Sequence, residues 1–192
     1  MAVDRSDDHA VAAEPAAERV TLADGGTILV RHLLPSDRAE LAQGYRELSS
    51  EARRLRFFNA PDHLSEELLD YLMNVDHRDR VAVAAFAIDD PGSPGVGIAR
   101  YVRDRNDPSV AEAAVTVLDA YQRRGIATAL LRRLAATARE NGITTFTASV
   151  MWENRELLDG LRALGADITP VEPGVASVRI GVPVDRLHSP QG

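Results

Sequence analysis

Residues 115–128 read VTVLDAYQRRGIAT, and this stretch decides the fold. A short run of β-forming residues leads into a polar turn, and a helical pattern begins directly after Gly125. The first N–H groups of a helix have no partner within the helix, and the helix dipole makes that end positive. We therefore expect a cradle for a phosphate or pyrophosphate, with Arg123 and Arg124 adding charge and Gly125 letting the ligand approach closely.

Two common phosphate-binding loops do not match this turn. No Lys-Ser or Lys-Thr pair follows Gly125, which excludes a Walker loop, and one glycine in place of three excludes the dinucleotide-binding fingerprint. What remains is a strand, the pattern Gln-x-x-Gly-x-Ala from Gln122 to Ala127, and a helix. The alternative is an ordinary strand-to-helix turn whose arginines are solvated.

The sequence after the turn has a regular order of elements. Ile126, Leu130 and Leu134 lie on one row of a helix that ends at Asn141-Gly142, and charged residues lie on the opposite face. A strand over 143–151 and a helix over 154–164 follow. Before the turn we expect a hairpin over 20–30, three short helices over 35–75, and strands over 81–88, 96–102 and 110–119. Closing strands are expected over 166–184.

The loop between strand and helix resembles the acetyl-CoA-binding motif of the GCN5-related N-acetyltransferases, the GNAT family. The resemblance implies an α+β fold, layered α/β/α, with a mixed central sheet whose splayed parallel strands bind acyl-CoA. It also implies which residues contact acetyl-CoA: Val115, Val117, Leu118, Gln122, Arg123, Arg124, Gly125, Ile126, Ala127, Thr128 and Asn154. For Asn154, the role of a plain helix N-cap is an alternative that is compatible with ligand contact.

Other segments are similar to the catalytic domain of bacterial Pat-type protein lysine acetyltransferases. They are residues 48–58, 75–77, 80–82 and 111–117, so that the resemblance covers roughly residues 20–165. It implies that the acceptor is a lysine on a protein such as an acyl-CoA synthetase.

Acetylation of lysine requires a base. The lysine ammonium has a pKa near 10.4 and cannot attack a thioester until it loses a proton. Glu112 is a charge in an otherwise apolar strand, and the two-residue period places it on one face with Ala114 and Thr116. It matches the general base of the Pat-like enzymes, and we expect partial burial to raise its pKa. The alternative is a carboxylate at a solvated strand end.

The chain departs from the family pattern at the proposed leaving-group step. Many GNAT enzymes place a tyrosine, acting as general acid, seven residues after the position of Asn154, and here that residue is Leu161. Arg53, Arg54 and Arg56 are expected on a solvated helix face or beside carboxylates, and Asp76 and His77 in a structural loop.

Composition limits the remaining possibilities. The 192 residues are 45% hydrophobic, with no apolar run of membrane-spanning length and no secretory signal, so we expect one cytoplasmic domain over 19–186. Residues 1–18 are expected to form a disordered tail, and residues 187–192 a C-terminal tail. The absence of cysteine excludes disulfides, thiolate metal sites and a cysteine acyl-enzyme, and the five histidines lack metal-binding spacing. A net charge of −7 disfavours nucleic acid as a partner.

The sequence therefore predicts an acetyl-CoA-dependent N-acetyltransferase that needs no metal. The acceptor is expected to be a protein lysine, which attacks directly in a ternary complex with Glu112 as base. Two alternatives stay open. One is acetylation of a small amine such as an aminoglycoside, polyamine or amino acid, and the other is a non-catalytic acyl-CoA-binding regulatory protein, which Leu161 makes plausible.

Overall fold

The computed structural model describes residues 17–57 and 64–182. The strands in this part of the chain are β1 (Glu18–Thr21), β2 (Thr27–His32), β3 (Arg80–Ala87), β4 (Gly95–Arg103), β5 (Val110–Val117), β6 (Thr145–Met151), β7 (Asp167–Glu172) and β8 (Val175–Gly181). The α-helices are α1 (Arg38–Glu47), α2 (Ser50–Phe57), α3 (Glu66–Met73), α4 (Ile126–Glu140) and α5 (Arg155–Ala163).

The strands form one mixed sheet in the order β1-β2-β3-β4-β5-β6-β8-β7. All neighbours pair antiparallel except β5 and β6, which are parallel. The parallel pair is connected through α4, as such a pair requires a crossover. The predicted α+β class with a mixed sheet is confirmed.

The pairing of β5 with β6 stops after three residue pairs. Val110, Ala111 and Glu112 pair with Thr145, Phe146 and Thr147, and beyond them β5 continues beside β4 while β6 continues beside β8. A wedge therefore opens between the two parallel strands, starting directly after Glu112. We call it the β5–β6 wedge.

Helices cover both faces of the sheet. Ile126, Leu130 and Leu134 of α4 are fully buried against one face, as the helical period predicts. Leu158 of α5 is buried with Val150 of β6 in a smaller cluster. The other face packs against α1 and α3, which completes an α/β/α arrangement.

The predicted two-residue alternation of β5 is confirmed. Ala113 and Val115 pack on the side of α4, whereas Ala114 and Thr116 line a pocket on the side of α1. Some predicted boundaries shift: the helix expected at Pro35 opens with a 3-10 turn, and β5 ends at Val117 before a second such turn over Asp119–Tyr121.

The predicted N-terminal tail is too long by one residue at least, because Glu18 begins β1 and is ion-paired with Arg132 of α4. The rest of that prediction, over residues 1–16, lies outside the described residues. So do the predicted C-terminal tail over 187–192, the domain boundary at 186 and the end of the helix predicted to reach Phe58.

Candidate active site

The turn between β5 and α4 is shaped by its own backbone and by Gln122. The side chain of Gln122 donates from Nε2 to the carbonyl of Val117 at 3.2 Å, and Tyr121 N–H donates to the carbonyl of Leu118 at 2.8 Å. Gly125 has φ 90°, a left-handed conformation that glycine adopts without strain, and it caps α4. Arg123 has φ 60°. The chain thereby reverses and presents the start of α4 next to the wedge.

The N-terminus of α4 supplies backbone donors. Its first intrahelical bond runs from Ala129 N–H to the carbonyl of Gly125 at 3.1 Å, which leaves the N–H groups of Gly125, Ile126, Ala127 and Thr128 without helical acceptors. These groups point out of the helix at the positive end of its dipole. Such an arrangement suits an anion, and a pyrophosphate in particular.

The two arginines of the turn point to different places. Arg124 Nε contacts Asp24 Oδ2 at 2.5 Å, in the β1–β2 turn, and this hydrogen bond raises the pKa of Arg124. Arg123 instead reaches Glu156 of α5, with 3.2 Å between Nη2 and Oε2, and both side chains are largely exposed. The charge of Arg124 is therefore compensated within the protein, and Arg123 spans the two elements that flank the wedge.

Backbone groups of β5 alternate between β4 and the wedge. Leu118 N–H donates to the carbonyl of Val96 at 2.9 Å, so that the N–H groups of Thr116 and Ala114 also turn toward β4. Those of Val115 and Val117 consequently face the wedge. The N–H of Leu118 is not available to a ligand, because it bonds Val96, and its carbonyl already accepts one hydrogen bond from Tyr121. Contact between the Leu118 carbonyl, which has a second lone pair, and a ligand stays a prediction. The buried Leu118 side chain lines the pocket beneath α1.

Asn154 starts α5 on the far side of the wedge. Its side-chain oxygen accepts a hydrogen bond from Leu157 N–H at 3.4 Å, which confirms its role as an N-cap. Contact between Asn154 and a ligand stays a prediction. Leu161, at the position of the missing tyrosine, packs with Val150 and Leu158 and has a structural role in the apolar cluster beneath α5.

Glu112 lies at the last paired position before the wedge opens. Its side chain is exposed, so the expectation of partial burial is wrong. It borders an open groove of about 600 Å³ on the face opposite α4. The groove is polar, and its lining includes Tyr71, Asn106, Thr147, Ser149 and Ser177. Sequence reasoning missed these residues because four separate elements supply them.

Two arginines lie beneath α1 and α3, close to Glu112. Burial lowers the pKa of Arg56 to about 10, and the positive charge of Arg100 contributes. Burial likewise lowers the pKa of Arg100, which stacks 4.7 Å from the ring centre of Tyr71. The negative charge of Glu112 acts to raise both pKa values. Of the two expectations for these arginines, a solvated face is contradicted for Arg56, which is partly buried. The other, a carboxylate partner, is met by Arg54, which is ion-paired with Glu153.

The loop before β3 is structural, as the sequence predicts. Asp76 Oδ1 accepts from the N–H groups of Arg78, Asp79 and Arg80 at 2.7–2.9 Å. Burial opposes ionisation of Asp76, but the backbone donors together outweigh it and lower its pKa. Within residues 17–57 and 64–182, no cluster of His, Asp or Glu is arranged to hold a metal ion. No helix in the same ranges is long and apolar enough to cross a membrane.

Comparisons with known proteins show which family the chain belongs to. The model of the acetyltransferase (GNAT) family matches residues 45–159. The chain belongs to the GNAT family. It is an N-acetyltransferase, and the acetyl donor of this family is acetyl-CoA.

Individual relatives point in the same direction. The chain is 34% identical over 145 residues to Acetyltransferase PA5475 of Pseudomonas aeruginosa, which covers 76% of this chain and 77% of that protein. The chain is also 31% identical over 166 residues to Acetyltransferase Pat of Mycolicibacterium smegmatis, and the match covers 48% of the length of that protein. The crystal structure of the GNAT domain of S. lividans PAT superposes with a TM-score of 0.78 at 32% identity, over 86% of this chain and 96% of that one.

The chain therefore spans about half the length of the Pat protein from M. smegmatis (85% of this chain takes part in that match). The similarity to PA5475 and to the S. lividans domain, by contrast, covers most of both partners. These matches confirm the predicted resemblance to the GNAT family and its Pat-type members.

Proposed function

We propose that this acetyltransferase transfers an acetyl group from acetyl-CoA to lysine side chains of proteins, with Glu112 as general base. The observation that carries the proposal is the place of Glu112: an exposed carboxylate at the point where the wedge opens and at the edge of an open groove. Similarity to the two Pat proteins supports the choice of a protein acceptor.

The residues of the turn and the wedge fit coenzyme A. The N–H groups from Gly125 to Thr128 would hold the pyrophosphate, and exposed Arg123 would add charge beside it. The backbone of Val115 and Val117, which faces the wedge, would hydrogen-bond the pantetheine arm and the thioester carbonyl. Asn154 would contact the same arm from the other side. Acetyl-CoA supplies the activated acetyl group.

The groove lets an acceptor reach Glu112 from the face of the sheet that lies opposite α4. Thr147 pairs with Glu112, and Ser149 and Ser177 continue the same polar surface across β6 and β8. No α-helix in the described part of the chain lines this groove except α3, through Tyr71. An open polar surface of this kind suits a side chain that projects from a folded protein.

Glu112 would remove the proton that lysine carries at neutral pH. General-base catalysis of this kind contributes about 10²–10⁴-fold. Glutamine has nearly the same shape as glutamate but cannot accept the proton. We therefore expect Glu112→Gln to lower kcat about 100-fold or more, while the affinity for acetyl-CoA is unchanged because the donor site is separate.

The experiment measures thiol release from acetyl-CoA by the wild type, by Glu112→Gln and by Glu140→Gln, whose glutamate is exposed at the end of α4 and serves as the matched control. One set of reactions contains a lysine-bearing acyl-CoA synthetase, and another contains a panel of small amines. Turnover with the synthetase that needs Glu112 supports the proposal. Turnover with small amines alone would overturn the acceptor class. Equal rates for Glu112→Gln and the control would overturn the role of Glu112.

A further inference from the structure

A small apolar pocket lies between α1 and the sheet, on the same face as Glu112. Its volume is about 80 Å³, and its walls include Leu41, Tyr45, Leu48, Leu72 and Ile98. One water molecule requires roughly 10–15 Å³ on such a measure. The pocket therefore has room for several carbon atoms, which is more than the methyl group of an acetyl unit needs.

The pocket adjoins the part of β5 that would hold the thioester. Ala114 and Thr116 line the pocket. Val115 lies between them and Val117 follows Thr116, and the backbone N–H groups of both valines face the wedge. Two residues of strand, about 6.6 Å, separate Ala114 from Thr116. A chain of a few carbon atoms that starts at the wedge can therefore extend along this wall of the pocket.

A buried guanidinium borders the pocket. Arg100 lies on β4 directly opposite Ala114, and only 6% of its surface is exposed. Its Nη2 atom is buried and has no hydrogen-bond partner among residues 17–57 and 64–182. A buried donor without an acceptor is unfavourable and uncommon in native proteins. A ligand that brings an acceptor oxygen would satisfy it.

The carboxylates that line the pocket are already engaged. Asp37 accepts two hydrogen bonds from Arg31, at 2.6 and 2.8 Å, and Glu40 accepts one from Gly95 N–H at 2.7 Å. Arg56 also lines the pocket, and the pKa of both Arg56 and Arg100 is lowered first by burial. The charge of Glu112 acts to raise the pKa of both arginines, but Glu112 gives Arg100 Nη2 no hydrogen bond.

We propose that this pocket binds a short carbon chain that ends in a carboxylate, with Arg100 as its partner. The inference rests on the proposed function, since it assumes that the thioester lies along β5. Two sources of that chemistry exist: an acyl group of the donor, as in succinyl-CoA, or a carboxylate on the acceptor. The apolar walls would cover the methylene groups, and the guanidinium would form charge-assisted hydrogen bonds with the carboxylate.

The donor arm measures binding by calorimetry for acetyl-CoA, butyryl-CoA and succinyl-CoA. Butyryl and succinyl groups have similar lengths and differ in the terminal charge. We expect the wild type to bind succinyl-CoA about 10- to 100-fold more tightly than butyryl-CoA, which is the range for a hydrogen bond to a charged group. Arg100→Met should remove that preference and leave acetyl-CoA binding unchanged. Arg19→Met, which removes an exposed arginine from β1, is the control.

The acceptor arm measures thiol release from acetyl-CoA with γ-aminobutyrate and with its amide. A preference for the acid that Arg100→Met abolishes would place the carboxylate on the acceptor. The proposal would be overturned if the wild type bound succinyl-CoA and butyryl-CoA equally and showed no preference for γ-aminobutyrate over its amide. Both measurements use the wild type, so this outcome is decisive even if Arg100→Met does not fold. Failure of acetyl-CoA itself to bind would instead overturn the proposed function, so the two failures are distinguishable.

Discussion

Replacing His32 with glutamine should make the protein less sensitive to acid. His32 ends β2 and is buried, with 4% of its surface exposed. Its Nδ1 lies 3.1 Å from Nδ1 of His77, and its Nε2 lies 3.2 Å from Thr137 Oγ1 of α4. Burial lowers the pKa of His32 to about 4, and the charges of Arg133 and His77 contribute.

The magnitude follows from the difference between folded and unfolded chains. An ordinary histidine has a pKa of 6.5, so the unfolded chain takes up a proton between pH 6.5 and about 4 that the folded protein does not. The free energy of unfolding therefore falls as the pH falls through this window. Each unit of pKa corresponds to 1.36 kcal/mol, so that the full loss from His32 is about 3 kcal/mol below pH 4.

The assay is urea unfolding of the wild type and His32→Gln at several pH values between 3.5 and 7.5. Glutamine keeps a donor that can reach Thr137 but does not titrate, so the difference in free energy between the two proteins isolates His32. At pH 7.5 this difference is the ordinary cost of the substitution. We expect it to change in favour of the variant by about 3 kcal/mol toward pH 4. A difference that is constant with pH would refute the reasoning.

Other predictions concern stability at the site. Gly125→Ala places an alanine at φ 90°, which should lower the free energy of unfolding by about 1–2 kcal/mol and Tm by about 2–8 °C. It should also weaken acetyl-CoA binding. The control is Gly160→Ala, in an open position of α5, which should raise Tm slightly. Tyr101→Phe removes a hydroxyl that donates to the carbonyl of Arg78 at 3.0 Å and accepts from Asn141 at 2.9 Å, and it should cost about 1–3 kcal/mol in urea unfolding. Leu158→Ala should cost about 2–5 kcal/mol, and a smaller loss would show that α5 repacks.

Local patterns were enough to predict the elements around the site. Gly125, the apolar rows of α4 and the alternation of β5 each depend on near neighbours in sequence, and the structure confirms all three. The resemblance to a known family supplied the splay between β5 and β6, which no local pattern contains. Periodicity shows which face a residue occupies but not what covers that face.

Contacts between distant residues account for the errors. The N–H of Leu118 is bonded to the carbonyl of Val96, a contact that the local sequence does not show. The side chain of Arg124 is likewise held by Asp24, one hundred residues away, and its contact with a ligand stays a prediction. The exposure of Glu112 depends on what packs over its face of the sheet, which the sequence of β5 alone does not show. Arg100 carried a signal that was available, because it is a charge in the apolar interior of β4, whose other arginine, Arg103, ends the strand. A charge in the apolar interior of β4 marks Arg100 as a candidate, as the charge in β5 marks Glu112.

The short pairing between β5 and β6 also divides the sheet mechanically. Strands β1–β5 form one part of the sheet and β6–β8 another, and in the described residues these parts are joined along the sheet by three residue pairs. A coenzyme lying in the wedge would bridge these two parts over the length where β5 and β6 are not paired, and would thus act as a temporary additional strand. Amide hydrogens of β6 and α5 should then exchange more slowly with deuterium when the coenzyme is bound, while those of β2 and β3 should be unaffected.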